Sequence, residues 1–261
     1  DPDKIIISII LGASDYLSEE ILDIPQAKND VEDFRDFITY HFSKNNYNIM
    51  FDNSNAETKQ LRGTLNLDQG GNFSELTDDG MIVDVIFYFS GHAISYEGEN
   101  YLIPADMPSN IVSFDEARAY LVSFNKIVSS ISKWANGSKI FIIDACRSIA
   151  LDSNEESDLI GFNSKGDTLA FLGGSNDGLS PVKAESNSYI IYSTAPGTTS
   201  LYRRNERNSL FTKNFLKVLE RNIGLDIQAI MMKTREEVII DSNYKQIPWD
   251  ESSLTEKFYF D

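Results

Sequence analysis

Three stretches of this chain are almost continuously apolar: Ile5-Ile-Ile-Ser-Ile-Ile-Leu11, Val83-Asp-Val-Ile-Phe-Tyr-Phe-Ser90 and Lys139-Ile-Phe-Ile-Ile-Asp144. A strand with one face in water alternates polar and apolar residues, whereas runs such as these must be covered on both faces. Helical periodicity separates them. From Gln26 the apolar positions Ala27, Val31, Phe34, Ile38 and Phe42 recur at helical spacing, with Pro25 suited to the helix start. A second amphipathic segment, 124–134, is closed by Asn136-Gly137. Strand, helix, strand alternation predicts an α/β fold with one mostly parallel sheet and helices on both faces.

The remaining elements follow from the same reasoning. We expect a short second strand over 47–51, a helix over 55–67, a loop past His92, a strand over 189–193, and helices over 209–221 and 227–240, the last capped by Asp226. A last short strand is expected over 258–260. Residues 151–187 break the pattern, being rich in Ser, Asn, Asp and Gly, and a loop that long inside a compact domain is functional or disordered.

Composition narrows the function classes. Against 23 basic side chains stand 40 acidic ones, a net charge of −17, which opposes nonspecific attraction to nucleic acid or an anionic membrane and favours cationic partners. A single cysteine forbids an internal disulfide and fits a reducing compartment, so a cytoplasmic location is expected. No apolar run approaches membrane-spanning length, and no signal peptide opens the residues given.

That cysteine, Cys146, stands just past the third apolar run, and His92 follows the second. In open α/β sheets chemistry gathers at the carboxyl ends of strands. If the two strands are parallel neighbours, their ends lie about 5 Å apart and the thiol and imidazole share one crevice. An imidazole there can take the thiol proton and later return one to a leaving amine.

The surrounding residues carry a resemblance. Asn29-Asp-Val31, Phe87-Tyr-Phe-Ser-Gly-His92, Asn100-Tyr-Leu-Ile-Pro104, Ile143-Asp-Ala-Cys-Arg147, Tyr192-Ser-Thr-Ala-Pro-Gly197, Glu206-Arg-Asn-Ser209 and Pro248-Trp-Asp-Glu-Ser-Ser-Leu254 occur in this order over nearly the whole chain. So arranged, the chain resembles the caspase-like cysteine peptidases, and among them the metacaspases and their bacterial relatives, the orthocaspases. The resemblance implies a three-layer sandwich around a mostly parallel six-stranded sheet. It implies a single peptidase domain over 1–261, with a large-subunit-like region over 1–150, an intersubunit-type loop over 151–187 and a small-subunit-like region over 188–261. It makes Cys146 the nucleophile and His92 the acid/base, gives the oxyanion to the backbone amides of Gly91 and Cys146, and passes through a thioester with no metal in the bond-breaking step.

Specificity follows from charge. Caspases that cut after Asp carry Gln two residues before the cysteine, where this chain has Asp144; metacaspases place an acid there and a second in the helix-opening motif, here Asp30. Two carboxylates in a shielded pocket repel each other unless a cation joins them, so cleavage after Arg or Lys is expected of a protein or peptide substrate. Ser193, Thr194 and Ala195 would form the rim along which the extended peptide lies. Lys165 and Lys183 in the long loop are natural self-cleavage sites, and the loop bearing Arg203, Arg204 and Arg207 is a second place for them.

Two departures stand out. Relatives usually have Gly after the histidine, where this chain has Ala93, and Leu201-Tyr-Arg-Arg204 replaces a Trp-Arg pair, so that an inward Arg203 would serve an acidic substrate residue. Two alternatives therefore accompany the main reading: a catalytically inactive regulatory domain that binds through the same groove, and an Asp-specific protease. A third, a latent protease awaiting a fused sensor domain or a partner that orders the long loop, modifies the main reading. Some metacaspases bind calcium as an activator on acidic loops, and Asp78, Asp79 and Asp84 are the acids close in sequence here. His41 falls in a helical pattern as a structural or exposed residue, and Gly173 to Gly178 lacks the lysine of a phosphate loop.

Overall fold

In chain order the elements are β1 (Lys4–Gly12), α1 (Pro25–Phe42), β2 (Tyr47–Asn53), the short helices α2 (Thr58–Gly63), α3 (Leu67–Gly71) and α4 (Phe73–Asp78), then β3 (Ile82–Tyr96), β4 (Glu99–Leu102), α5 (Phe114–Ala117) and β5 (Val122–Ser123). They continue with α6 (Phe124–Trp134), β6 (Lys139–Cys146), β7 (Leu159–Gly161), β8 (Ser188–Tyr192), β9 (Leu201–Arg203), α7 (Leu210–Arg221), α8 (Ile227–Asp241) and β10 (Trp249–Ser252). The structure, a computed structural model, describes residues 4–42, 47–71, 73–146, 159–161, 179–196, 200–203 and 205–260, with 47, 70, 71, 146 and 159–161 described by their backbone alone.

The three apolar runs lie side by side. The main sheet has the order β10-β8-β6-β3-β1-β2, every neighbour parallel except β10, which runs antiparallel to β8. This is the expected six-stranded, mostly parallel sheet. Its alternation sorts the side chains into two cores. Ile7, Val85, Phe87, Phe141 and Ile190 face α6 through Phe124, Ile127 and Ile131. Ile6, Ile86, Tyr88, Ile142 and Ile191 face α1, α7 and α8 through Phe34, Phe215 and Ile230. Because both faces are buried, the strands carry no polar alternation, which is why they read so plainly in the sequence.

Helix starts are set by capping side chains. Ser123, Ser209 and Asp226 accept from the backbone amides of Lys126, Thr212 and Ala229 at the starts of α6, α7 and α8. Close packing fixes one glycine at the sheet's opposite end. A Cβ on Gly137 would collide with the Asp84 carboxylate and the Val83 carbonyl.

Several boundaries differ from the sequence expectation. The predicted helix over 55–67 is shorter, Thr58–Gly63, and ends in a single 3-10 turn at Thr64–Asn66. Phe258 and Phe260 form no strand; both are buried in the core, Phe260 against Phe37, Phe42 and Phe215 and Phe258 against Phe260, so their period of two reflects packing and not pairing. The sheet's last strand is instead Trp249–Ser252, an edge strand too polar to have been picked out by periodicity. Most consequentially, β3 does not stop at Ser90. It runs through His92 to Tyr96, because its far end leaves the main sheet to pair antiparallel with β4.

Candidate active site

The continuation of β3 places His92 in a strand and not in the expected loop, and Cys146 is likewise the last residue of β6 rather than a residue beyond it. The two strands are parallel neighbours, as supposed, and their register pairs Ser90 with Asp144, Gly91 with Ala145, and His92 with Cys146. Two rows of this ladder, with one residue pair between them, therefore carry the candidate chemistry.

The loop between β1 and α1 holds the histidine. Leu22 offers its backbone carbonyl 2.8 Å from Nε2 of His92, and a carbonyl only accepts, so that nitrogen carries the proton and Nδ1 presents the lone pair. The His92 amide donates to the Tyr16 hydroxyl at 2.9 Å, and the two rings lie 5.1 Å apart. Burial pushes the imidazole pKa down to about 4, against the opposing pull of the Leu22 carbonyl and Asp23, so the ring is neutral at neutral pH. The arrangement can accept a proton at Nδ1. Gly91 leaves no room for a side chain: a Cβ would lie 2.9 Å from the Phe89 ring and 3.2 Å from the Ala13 carbonyl. Ala93 sits in β3 opposite Leu102, outside the positive-φ region, so the missing glycine brings no backbone strain.

Two rows deeper are the acids. Asp30, from α1, is fully buried; its Oδ2 accepts from Ser90 Oγ at 3.0 Å and its Oδ1 from the Ser209 amide at 3.0 Å. Asp144 accepts from Ser200 Oγ at 3.1 Å, from Thr212 Oγ1 at 2.7 Å and from Ser209 Oγ. Thr212 in turn shares a 2.6 Å hydrogen bond with the Tyr88 hydroxyl. Among the described residues no Lys or Arg pairs with either carboxylate. Burial raises both pKa values, and the neighbouring Asp144 charge pushes that of Asp30 further up, well above its ordinary value. The start of α7 offsets some of this through the Ser209 amide and the positive end of the helix.

The rim residues are placed unevenly. Ser193 is buried at the end of β8, its amide bonded to the Ile143 carbonyl and its own carbonyl to Gln246 Nε2; Thr194 is nearly buried, and Ala195 is partly exposed. Arg203 does not turn inward: its guanidinium binds Glu206 and Asp241. Arg207 is held by Asp33. Lys183 is exposed, while Lys165, Arg204 and the Cys146 side chain lie outside the described residues. The acids near residue 80 do not converge, because Asp84 turns inward to Lys4 at 2.6 Å and to the Ser138 amide. Among the described residues no three His, Cys, Asp or Glu side chains come together as a metal site. His41 lies between the rings of Phe37 and Tyr40 in α1.

Sequence reasoning missed the hydroxyls of Ser200, Ser209 and Thr212, the Tyr16 contact and the Leu22 carbonyl. Only Ser209 had a signal, as a serine just before an apolar-periodic run. Among curated proteins, none matches the chain. The family model described as the caspase domain matches residues 7–259, which takes in most of β1, every element from α1 to β10 and both rows of the site. This chain belongs to the caspase domain family.

Proposed function

We propose that this protein is a cysteine endopeptidase that cleaves after Arg or Lys, with Cys146 as nucleophile and His92 as acid/base. Membership in the caspase family supports peptidase chemistry in general. The observation that carries the finer reading is the pair of buried carboxylates, Asp30 and Asp144, two ladder rows from His92 and Cys146 and without a cation among the described residues. A guanidinium or ammonium group from a substrate supplies the missing charge, and a guanidinium can meet both acids through paired N–H bonds.

In this reading Nδ1 of His92 takes the Cys146 proton as sulfur attacks the peptide carbonyl. Backbone amides at this junction, those of Gly91 and Cys146 in the sequence reading, meet the developing oxyanion. The imidazolium then protonates the leaving amine, the C–N bond breaks, and a thioester remains. Water, deprotonated by the same imidazole, attacks the thioester and releases the new carboxyl terminus and the thiol. Cleavage of fluorogenic peptides ending in Arg, Lys or Asp, with and without calcium, tests the proposal. Turnover after Arg and Lys that vanishes in Cys146→Ala is expected. Turnover after Asp alone would refute the pocket, and turnover surviving Cys146→Ala would refute the mechanism.

A further inference from the structure

Helix α1 leaves the carboxyl end of β1 and returns along the sheet to the start of β2, which is parallel to β1, so its first turn lies nearest the candidate active site. One face of the helix carries Gln26, Asn29, Asp30 and Asp33, at i, i+3, i+4 and i+7. All four hold the chain that runs from β9 into α7. Gln26 Nε2 donates to the Arg203 carbonyl at 3.3 Å and Asn29 Nδ2 to the Arg207 carbonyl at 2.8 Å, while Asp30 accepts from the Ser209 amide and Asp33 from Arg207 and Asn208.

Gln26 is the member of this row with a group left over. It is only 5% exposed, and because a carbonyl only accepts, its amide nitrogen faces Arg203 and its oxygen does not. That oxygen, Oε1, is buried and has no hydrogen-bond partner among the described residues. A buried acceptor without a donor is unfavourable and uncommon, and it calls for an N–H.

The height of Gln26 in the fold indicates where such an N–H comes from. Asp30 lies level with Ser90, whose hydroxyl it accepts, and a Cβ on Gly12, the ladder partner of Ser90, would lie 3.2 Å from the Ala27 carbonyl of the same helix. Four helical residues rise about 6 Å, nearly the height of two strand residues. Gln26 therefore stands level with the His92–Cys146 row, two rows above the acids. A side chain that enters at that row and reaches down to Asp30 passes Gln26 on the way.

Arginine and lysine present different donors along this path. Lysine carries all its N–H groups at the tip, behind which the stem is bare methylene; arginine has its terminal nitrogens at the tip and a further N–H, on Nε, set back toward the backbone. With the tip on Asp30 and Asp144, only arginine has a donor left at the height of Gln26. We propose that Gln26 is a specificity-determining residue, its Oε1 accepting from the Nε–H of a substrate arginine, so that the pocket prefers arginine to lysine. The proposal rests on the peptidase reading for its substrate and deepens it, separating two residues that the acid pair alone treats alike.

The test uses protein carrying Cys146→Ala, so that nothing is cleaved, with and without Gln26→Met. Anisotropy reads the binding of fluorescein-labelled peptides identical except for arginine or lysine at the residue before the scissile bond. One hydrogen bond to a charged group is worth about tenfold in affinity, so arginine should bind about tenfold tighter than lysine, and Gln26→Met should bring the two within about twofold by weakening arginine. Gln26 also ties α1 to Arg203, but loss of that bond alone would weaken both peptides alike and leave their ratio unmoved, an outcome that overturns the proposal. A third peptide, with arginine methylated at Nε, keeps the charge and removes the N–H. It should bind the protein with Gln26 intact about tenfold more weakly than arginine, a measurement that stands even where Gln26→Met fails to fold. Equal binding of the arginine and methylated peptides, a methylation penalty that persists in Gln26→Met, or no binding of any peptide would each overturn the assignment. Cleavage with Cys146 intact reports separately on the peptidase reading: an arginine preference in binding without cleavage would sink that reading and leave Gln26 in place, whereas equal cleavage after arginine and lysine would sink Gln26 and leave the reading.

Discussion

Strand β3 passes a buried aspartate at each end of the sheet, and the two ends treat buried charge differently. At its start, Asp84 is fully buried but receives Lys4 at 2.6 Å and the Ser138 amide at 2.7 Å. Near its other end, Ser90 touches Asp30 and faces Asp144, two acids that receive hydroxyls and one amide but, among the described residues, no cation. Burial raises the pKa of all three, with Lys4 opposing it at Asp84 and a second carboxylate adding to it at Asp30. The first arrangement is complete within the chain. The second has no such partner among the described residues, and in the proposed reading a guest supplies it, which would separate a structural ion pair from a binding site.

Substitutions at the two ends should therefore have opposite consequences. The largest effect is expected for Asp144→Asn, which removes one charge from the proposed cation pocket. Its kcat/KM on a peptidyl-Arg substrate should fall about 10²- to 10³-fold, the cost of unpairing a buried charge, while its melting temperature does not drop. Equal losses of activity and stability would mean that Asp144 is a structural acid. Next comes Asp30→Asn, where thermal melts at pH 7 should show a rise of several degrees alongside lost cleavage, because a neutral amide ends the repulsion. At the opposite end, Lys4→Met strands the Asp84 carboxylate and should cost about 1–3 kcal/mol, since Lys4 is partly exposed. Peptide cleavage per folded molecule should not change.

Titration extends the contrast. The folded pKa of Asp30 is raised, so its contribution to stability is complete below its unfolded value of 3.8 and is lost as pH rises through the folded value. The advantage of Asp30→Asn over the unsubstituted protein should accordingly vanish in melts below pH 3.8 and grow above it. His92 works the other way: lowered from 6.5 to about 4, it contributes fully above 6.5 and loses that contribution as pH falls toward 4. Since the imidazole is already neutral at about pH 5, the acid limb of kcat/KM should follow the acid pair and lie at higher pH than an unperturbed aspartate would give. A limb that Asp30→Asn leaves in place would break this assignment. The smallest effect is expected for Ser209→Ala, which loses the α7 cap and one hydroxyl on Asp144 but keeps the amide on Asp30. A destabilisation of about 1 kcal/mol with a several-fold higher KM is the expected result, read by denaturant unfolding and steady-state kinetics.

The regions of this molecule that were legible in the sequence are those built from continuous apolar runs and capped helices. Ile5 to Leu11, Val83 to Phe89 and Ile140 to Ile143 announced a sheet covered on both faces, and Asp226 stands where a cap was expected. What stayed hidden depends on contacts distant in sequence. The path of β3 through His92 is set by β4, and the edge strand Trp249–Ser252 is held through Asp250, which meets Arg235 and the Tyr189 hydroxyl. At the site, Asp30 and Asp144 could be named from their motifs. The ring of serine and threonine hydroxyls around them could not, because such residues are common on any surface and only the fold brings Ser90, Ser200, Ser209 and Thr212 to one place.

Everything said of specificity depends on the acid pair reading positive charge. The ratio of kcat/KM for two peptides identical except at the residue before the scissile bond decides it, one with arginine and one with citrulline, which has nearly the same shape and no charge. A preference for arginine of about a hundredfold or more is expected, in keeping with an unpaired buried charge, and it should collapse in Asp144→Asn. Equal cleavage of the two peptides, or a preference for citrulline, would mean that Asp30 and Asp144 do not select a cation.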